Sequence, residues 1–320
     1  MLRAIGLCVA ISVFSINQFA RAADQVNVAI TQIVSHPALD KVREGIEDVL
    51  AENGYKNGDN LKLTFLSAQG NLSTATQIAR KFVGDKPDVI VAISTPSAQT
   101  VLAATKEIPI VFSAISDPVE AKLVSSLIQP GGNITGVSDS ANIAENLELL
   151  RKIKPNLKKL GYLYNAAEAN SLSTLKILTN LASKMGIEVI PSSASKSSDV
   201  QAAVRTLVGK VDVIFVPTDN TVIAVLEGAA KIALETKTAL FVLDGNTIGR
   251  GAFMTQGVDY YDVGVDTGEL VLRILKGENP GDIDVVQARN HNIQVDMKIA
   301  KKLDIIVPRE ILENATKVIQ

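Results

Sequence analysis

The sequence contains few cysteines, histidines and aromatic residues, the residue types that most often form disulfides, bind metals and stack on ligands. Its 320 residues include one cysteine, Cys8, two histidines and no tryptophan, and aromatic residues make up 4%. A single cysteine excludes an intramolecular disulfide. The two histidines, His36 and His291, belong to no ligand-spaced cluster, so no metal site is predicted. The scarcity of large rings disfavours a sugar pocket, in which ring stacking usually supplies the apolar contact.

An excess of charge of one sign is also missing, and so are the common catalytic motifs. The formal net charge is −2, with acids and bases interspersed, so neither nucleic acid nor an anionic membrane surface is an expected partner. The sequence contains no G-x-S-x-G elbow, no P-loop and no G-x-G-x-x-G fingerprint. We therefore predict neither an enzymatic activity nor a cofactor.

Residues 1–23 have the features of a secretory signal peptide. Arg3 precedes an apolar stretch from Ala4 to about Phe14, and Ala20-Arg21-Ala22 forms an A-x-A cleavage site. The apolar stretch is shorter than the about 18 to 20 residues that span a bilayer. Cys8 lies inside it and not behind the small residue that a lipoprotein cleavage box requires. We expect a soluble periplasmic protein that is not a lipoprotein.

After this segment, short apolar runs alternate with amphipathic helical stretches, which is typical of βαβ units with a parallel sheet. One series begins at "VNVAIT" and a second begins at "KKLGYLYN". The stretch "DVIVAISTPSAQTV" (88–101) aligns without a gap with "DVIFVPTDNTVIAV" (212–225). The sequence therefore predicts an α/β protein of two similar doubly wound parallel-sheet lobes joined by a hinge.

The predicted lobes are discontinuous in sequence. The turn Pro130-Gly131-Gly132-Asn133 precedes a short strand and marks the expected first crossing between lobes. We predict a first lobe of residues 24–136 plus about 259–285, and a second lobe of residues 137–258 plus about 286–320.

Polar residues follow several of the predicted strands. In open α/β sheets, ligands bind beyond the carboxyl ends of the strands, and two facing lobes bring both sets of strand ends to one cleft. The predicted ligand-binding residues of the first lobe are Gln32, Ser94, Thr95, Ser97, Ser116 and Asp117. Those of the second lobe are Asn165, Asn170, Thr218, Asp219, Asn220 and Asp244.

The two aligned strand ends differ in charge. Thr95 lies at a predicted helix N-terminus, which favours a carboxylate, and the aligned position in the second lobe is Asp219, which suits an ammonium group. A zwitterion fits between them. Both residues are also ordinary helix caps, each worth about 1 kcal/mol, and Asp244 is a second choice for the ammonium group. The pairs His36-Pro37 and Tyr260-Tyr261 are interpreted first as a helix-start turn and as a packing pair.

The chain resembles the periplasmic substrate-binding proteins of ABC transporters, in particular the aromatic amino acid (tryptophan-type) branch. The similar stretches occur in order over nearly the whole chain after the signal and include "PDVIVAISTPSAQ", "IPIVFSAISDPVEAKLV", "VDVIFVPTDNTV" and "GVDYYDVGVDTGELVLRILKGENP". The chain departs from the family at "FVLDGNTIGRGA", around Asp244. The resemblance implies a type I two-lobed fold, a ligand in the cleft, and delivery to a membrane permease with its ATPase.

We therefore expect a monomeric periplasmic receptor that closes by a hinge over a small zwitterion. The resemblance favours an amino acid with an aromatic or large apolar side chain. Three alternatives remain open from the sequence: a sensory module that presents its ligand to a membrane receptor, a periplasmic enzyme on the same fold, and a receptor for another small solute such as a sugar.

Overall fold

The structure, a computed structural model, describes residues 25–289 and 292–320. The predicted signal peptide, residues 1–23, and His291 lie outside this range. In the part of the chain that is described, no helix has both the length and the apolar character required to cross a membrane.

Thirteen strands form two sheets in these described ranges. They are β1 (Val26–Gln32), β2 (Leu61–Ser67), β3 (Val89–Ile93), β4 (Ile110–Ile115), β5 (Ile134–Ser138), β6 (Lys159–Tyr164), β7 (Glu188–Ser193), β8 (Val213–Val216), β9 (Ala239–Val242), β10 (Met254–Gly257), β11 (Val286–Gln287), β12 (Asn292–Asp296) and β13 (Lys317–Ile319). The first sheet has the order β11-β5-β4-β3-β1-β2 and the second β13-β12-β10-β9-β8-β6-β7. All pairs are parallel except β10 with β12.

Helices cover both sheets. They are α1 (Pro37–Glu52), α2 (Leu72–Asp85), α3 (Thr95–Ala104), α4 (Ile143–Ile153), α5 (Ala169–Lys184), α6 (Val200–Leu207), α7 (Asn220–Ile223), α8 (Leu226–Glu235), α9 (Tyr260–Leu275), α10 (Met297–Lys302) and α11 (Arg309–Asn314). Each sheet with its helices forms one lobe, so the predicted fold class of two doubly wound lobes is confirmed.

The first lobe is built around a close contact between α1 and α9. A Cβ atom on Gly264 would lie 2.2 Å from the backbone oxygen of Val42, and one on Gly45 would lie 2.5 Å from that of Tyr261. Because real Cβ atoms do not approach this closely, glycine is required at both positions. Helix α9 follows β10 of the second sheet in sequence, and this contact anchors it back on the first lobe.

The second sheet buries an aromatic row on one face. The ring centroids of Tyr162 and Phe215 are 6.0 Å apart, and those of Phe215 and Phe241 are 5.4 Å apart. These residues occupy neighbouring strands β6, β8 and β9, and adjacent residues along the strands, such as Leu163 and Ile214, pack in a separate core on the opposite face. This two-residue alternation is the signature of a sheet covered on both sides.

The chain changes sheets slightly later than predicted. Strand β5 lies in the first sheet through Ser138, and β11 pairs with it at Val286 and Gln287. The predicted second lobe included residues 137–138 and 286–287, and both short segments are therefore corrected to the first sheet. The remainder of the predicted division into lobes stays a prediction.

Candidate functional site

A small cavity lies between the two lobes at the carboxyl ends of the strands. Its volume is about 10 Å³, which is room for about one water molecule. We call it the inner cavity, and its lining residues are His36, Leu39, Thr95, Ala114, Asp139, Asn170, Thr218, Asn220, Ile223, Asp244 and Tyr260. Both lobes contribute to its wall, and because it is far smaller than a typical ligand site, the lobes must move apart to admit a ligand.

The first lobe reaches the inner cavity through two strained strand ends. Ser94 follows β3 with φ of 80°, and Ala114 in β4 has φ of 57°. Positive φ in residues other than glycine is uncommon and clusters at ligand sites. Ser94 is the N-cap of α3, but its buried hydroxyl caps no backbone amide and has no hydrogen-bond partner among the described residues. The N-terminus of α3 is thus directed at the cavity through Thr95.

A buried acidic group forms another part of the wall. The Oδ1 atom of Asp244 accepts a hydrogen bond from the backbone N–H of Asn246 at 2.8 Å, whereas Oδ2 is buried without a partner in the described residues. The Tyr260 hydroxyl donates to Oδ2 of Asp139 at 2.9 Å. Burial raises the pKa of Asp244 to about 7, with a smaller contribution from Asp139, while the Asn246 hydrogen bond and the charge of Arg250 oppose the rise.

Asp219 is buried in its own lobe and does not line the inner cavity. Its Oδ1 atom accepts from the backbone N–H of Val222 at 2.9 Å, and Oδ2 accepts from the backbone N–H of Asn165 and the hydroxyl of Ser171, both at 2.6 Å. Burial, and then the charge of Glu168, raise the pKa of Asp219 to about 7 in spite of these three donors. The carboxylate fixes the surrounding loop.

Glu168 holds the other side of the same loop, residues 218–221. Its Oε2 atom accepts from the backbone N–H of Asn220 at 3.1 Å and from the side-chain amide at 2.6 Å. Its Oε1 atom accepts from the backbone N–H of Thr221 at 3.0 Å and from the hydroxyl at 2.9 Å. Two buried acids therefore organise the loop that presents Thr218 and Asn220 to the cavity.

His36 lines the cavity from the start of α1, next to Leu39. The side chain is 6% exposed, and neither ring nitrogen has a hydrogen-bond partner among the described residues. Burial and then the charge of Arg250 lower the pKa of His36 to about 4, and hydrogen bonding with the neighbouring Asn220 side chain, although not of standard geometry, acts in the opposite direction. The imidazole is neutral at physiological pH.

A wider outer cleft adjoins the inner cavity, and Asn220 lines both. The outer cleft has a volume of about 340 Å³. Pro96 lines it from the first lobe, next to Thr95 of the inner cavity, and Asn165 and Lys196 line it from the second. The outer cleft is thus a candidate route between solvent and the inner cavity.

Polar contacts join the lobes on another side of the cavity. The hydroxyls of Ser116 and Thr218 are 2.8 Å apart, and the hydroxyl of Ser173 donates to Oδ2 of Asp117 at 2.7 Å. We call these two contacts the interlobe bridge. The Oδ1 atom of Asp117 also accepts from the backbone N–H of Glu120 at 3.0 Å. Each contact joins a residue that follows β4 to a residue of the second lobe.

The predicted site residues fall into two groups. Those that line the inner cavity are Thr95, Asn170, Thr218, Asn220 and Asp244. Those that do not line it are Gln32, Ser94, Ser97, Ser116, Asp117, Asn165 and Asp219. In the second group, Gln32 donates to Oδ1 of Asp40 at 2.8 Å, so it supports the start of α1. Ser97 is buried in the first turn of α3, and its hydroxyl has no partner among the described residues.

Sequence reasoning missed part of the cavity wall. Leu39, Asp139 and Ile223 were not among the predicted contacts, and Tyr260 was interpreted as a packing residue. Asp139 directly follows β5, so its position at a strand end was the available signal. Leu39 and Ile223 gave no such signal, because apolar helix positions also match an ordinary core.

A profile of the family "ABC transporter substrate binding protein" matches residues 27–319. The chain belongs to this family. The family resemblance inferred from the sequence is therefore confirmed, and the arrangement of two lobes around a cavity is the one expected of a substrate-binding protein.

Individual members of the family provide closer comparisons. The tyrosine-binding protein of Clostridioides difficile is 42% identical over 289 residues, which cover 90% of this chain and 84% of that protein. An ABC domain from Streptococcus pneumonia, solved in complex with L-Trp, is 34% identical and covers 92% of this chain and 100% of its own, with a TM-score of 0.89.

A third relative was solved in another state. A ligand-free, open substrate-binding protein with adhesive properties from Clostridium difficile is 40% identical and covers 92% of this chain and 99% of its own, with a TM-score of 0.69. More distant type I binding proteins share the fold alone.

Proposed function

We propose that the protein is the periplasmic receptor of an ABC importer and binds an amino acid with an aromatic or large apolar side chain. The observation that carries this proposal is the inner cavity, to which the first lobe contributes Thr95 and the second contributes Asn170 and Asp244. A charged ligand held away from water needs a partner for each of its charges. Polar groups from both lobes meet that need.

The ligand's ammonium group is assigned to Asp244. Its unpartnered Oδ2 atom is a buried acceptor in the cavity wall, and an ammonium donor would form a charge-assisted hydrogen bond with it. This assignment replaces Asp219, whose oxygens already accept three hydrogen bonds within the second lobe. The sequence had ranked Asp244 second for this role.

The ligand's carboxylate is assigned to the start of α3. The unpartnered hydroxyl of Ser94 and the N-terminus of α3, which no side chain caps, favour an anion there. A helix of this length contributes a partial positive charge at its N-terminus, and Thr95 carries that end into the cavity. The names of the relatives, a tyrosine-binding protein and a domain with L-Trp, support an aromatic side chain.

The remaining proposals concern export, oligomeric state and the transport partner. We propose export through residues 1–23, cleavage without lipid attachment, and a monomer that delivers its ligand to a membrane permease with its ATPase. No catalytic role and no cofactor are proposed, because the cavity polar groups are accounted for by ligand charges. The lobes close over the ligand by a hinge at the segments that cross between the sheets.

A thermal-shift panel of the twenty amino acids and common sugars tests this function. A ligand that binds only the folded protein, at 100 times its Kd, adds about 2.7 kcal/mol of stability, which raises Tm by about 5 to 10 °C. We expect this for Tyr or Trp, and a much smaller rise for the Asp244→Asn and Ser94→Ala variants. Ser183→Ala, an exposed position on α5, is the matched control and should respond like the unmodified protein.

Two results would contradict the proposal. Stabilisation by a sugar and by no amino acid would assign another ligand class to the cavity. Stabilisation by an amino acid that is unchanged in both cavity variants would leave the amino acid ligand but remove the assigned contacts.

A further inference from the structure

We propose that His36 is a specificity-determining residue that hydrogen-bonds the polar atom of an aromatic ligand side chain, the phenol hydroxyl of tyrosine or the indole N–H of tryptophan. The inference rests on the proposed amino acid ligand. It adds that the site selects aromatic side chains that carry a hydrogen-bonding group over phenylalanine.

The first observation is that His36 is a buried polar side chain whose two ring nitrogens have no hydrogen-bond partner in the described part of the chain. The residue is 6% exposed and lines the inner cavity. About 90% or more of buried polar groups in proteins have a partner. His36 caps no backbone amide at the start of α1 either. The side chain of Asn220 can account for at most one of the two ring nitrogens, so a structural role in the free protein leaves at least one of them unexplained.

The second observation is the protonation state of the ring. With a pKa lowered to about 4 by burial and by the charge of Arg250, the imidazole is neutral. Arg250 is itself held by Glu227, whose Oε1 atom accepts from Nε at 2.6 Å. A neutral imidazole offers one donor and one acceptor. It can accept from an indole N–H, and it can either accept from or donate to a phenol hydroxyl.

The third observation is the apolar surface beside the ring. Leu39 lies three residues further along the start of α1 and shares that face of the helix with His36, and Ile223 faces the cavity from α7 in the other lobe. Leu39 and Ile223 thus give the wall beside His36 an apolar surface, which suits the ring of an aromatic ligand once the lobes have parted to admit it. The unpartnered Oδ2 atom of Asp244 remains for the ammonium group.

The test compares the Kd values of tyrosine, tryptophan and phenylalanine by titration calorimetry. One net hydrogen bond to an otherwise unpaired buried group predicts at least about tenfold tighter binding of tyrosine than of phenylalanine. In His36→Phe, the tyrosine-to-phenylalanine ratio should fall to about one, because the affinity for tyrosine falls while that for phenylalanine stays within about threefold.

Two further variants separate hydrogen bonding from packing. Leu39→Ala removes apolar contact next to His36, so it should weaken all three ligands by similar factors and keep the ratio. His36→Asn retains one donor and one acceptor and is compatible with the helix N-cap position, so it should restore part of the preference for tyrosine. It also provides a folded variant if His36→Phe fails to fold.

A spectroscopic readout tests the contact itself. Long-range ¹H–¹⁵N spectra report the tautomer and hydrogen bonding of each imidazole, and the sequence has only His36 and His291 to assign. His291→Gln identifies the signals of His36. Tyrosine should shift the ring nitrogens of His36, and phenylalanine should leave them close to their positions in the free protein.

The outcomes distinguish this inference from the proposed function. Equal affinity for tyrosine and phenylalanine in the unmodified protein, or a ratio unchanged in His36→Phe, would overturn the role of His36 and leave an amino acid receptor. Binding of none of the amino acids would overturn the proposed function, and the role of His36 with it.

Discussion

At the scale of single residues, the raised pKa of Asp244 predicts a coupling between ligand binding and pH. Its pKa is raised to about 7 in the free protein, chiefly by burial. Between its unfolded value of about 4 and 7, the folded protein holds a proton that the unfolded chain has lost. The contribution of Asp244 to the free energy of unfolding is therefore greatest below pH 4 and decreases as the pH rises to 7. A bound ammonium group reverses this preference, because it favours the ionised carboxylate.

We predict that the affinity for an amino acid ligand increases with pH up to about 7 and is constant above it. The slope can reach about tenfold per pH unit, since one proton is released on binding. His36 and Tyr260, which also line the cavity, do not titrate in this range: the pKa of His36 is lowered to about 4, and that of Tyr260 is raised well above its usual value by burial and then by the charge of Asp139. Calorimetry between pH 5 and 8 measures the slope.

A desamino analogue of the ligand is the matched control for this coupling. It keeps the ring and the carboxylate, so its affinity should lack the rise with pH. Asp244→Asn should remove the rise for the amino acid and weaken its binding at pH 8 by about 10- to 100-fold. A slope that survives in Asp244→Asn would show that another group, such as Asp219 with its pKa of about 7, carries the coupling.

Asp219 does not line the inner cavity as Thr95 does, for a geometric reason. The aligned strand ends pair Thr95 with Asp219, but α3 begins at Thr95, whereas α7 begins one position later, at Asn220. The first helical residue faces the cavity, and the N-cap residue turns toward its own backbone. A difference of one residue in the start of a helix is not visible in the hydrophobic pattern, so the polar cluster could be predicted while the role of each member could not.

At the scale of elements, the contact between α1 and α9 depends on glycine. An alanine Cβ at Gly264 would lie 2.2 Å from the oxygen of Val42, within the backbone of the neighbouring helix. We predict that Gly264→Ala lowers the free energy of unfolding by about 1 to 3 kcal/mol, because the helices must move apart. Denaturant unfolding measures the change.

Gly84→Ala in α2 is the matched control: no atom lies within 4 Å of the new Cβ, and the higher helix propensity of alanine should stabilise the protein by up to about 1 kcal/mol. Equal effects of both substitutions would contradict the packing account.

Element prediction was accurate where the apolar period is strong and incomplete elsewhere. The stretch "VIAVLEGAAKIALETK" has the pattern of a single helix, but the structure divides it into α7 and α8, with Val225 outside helical geometry at φ of −130° and ψ of 31°. The side chain of Arg250 donates to the backbone oxygen of Ile223 at 2.9 Å, next to the break. Its partner is distant in sequence, so no local pattern predicts this contact. The short elements α11 and β13 carry too few residues for a period and were not predicted.

At the scale of the whole molecule, the two lobes are in direct contact through the interlobe bridge, whose hydrogen bonds join residues of different lobes. The relative with L-Trp is less identical in sequence than the ligand-free, open relative, 34% against 40%, yet its TM-score is higher, 0.89 against 0.69. Sequence divergence therefore does not explain the difference in fit, and we infer that the lobes of this protein are in a closed arrangement, to which the interlobe bridge belongs.

We predict that the interlobe bridge sets affinity without setting selectivity. Ser173 and Asp117 do not line the inner cavity, so Ser173→Ala should change only the equilibrium between open and closed forms. Apparent affinity depends on the fraction of the competent form. The loss of one hydrogen bond should weaken every ligand by about three- to tenfold, mostly through faster dissociation.

Stopped-flow measurements of tyrosine and phenylalanine binding test the role of the bridge. The ratio of their affinities should be unchanged in Ser173→Ala, in contrast to His36→Phe. Because Asp117 also accepts from Glu120, Asp117→Ala alone removes more than the bridge, and the double variant with Ser173→Ala isolates the coupling. Strictly additive effects, or a changed ratio in Ser173→Ala, would show that the contact does not stabilise closure. X-ray scattering should give a larger radius of gyration for the ligand-free Ser173→Ala protein than for the unmodified one, because loss of the bridge favours the open form.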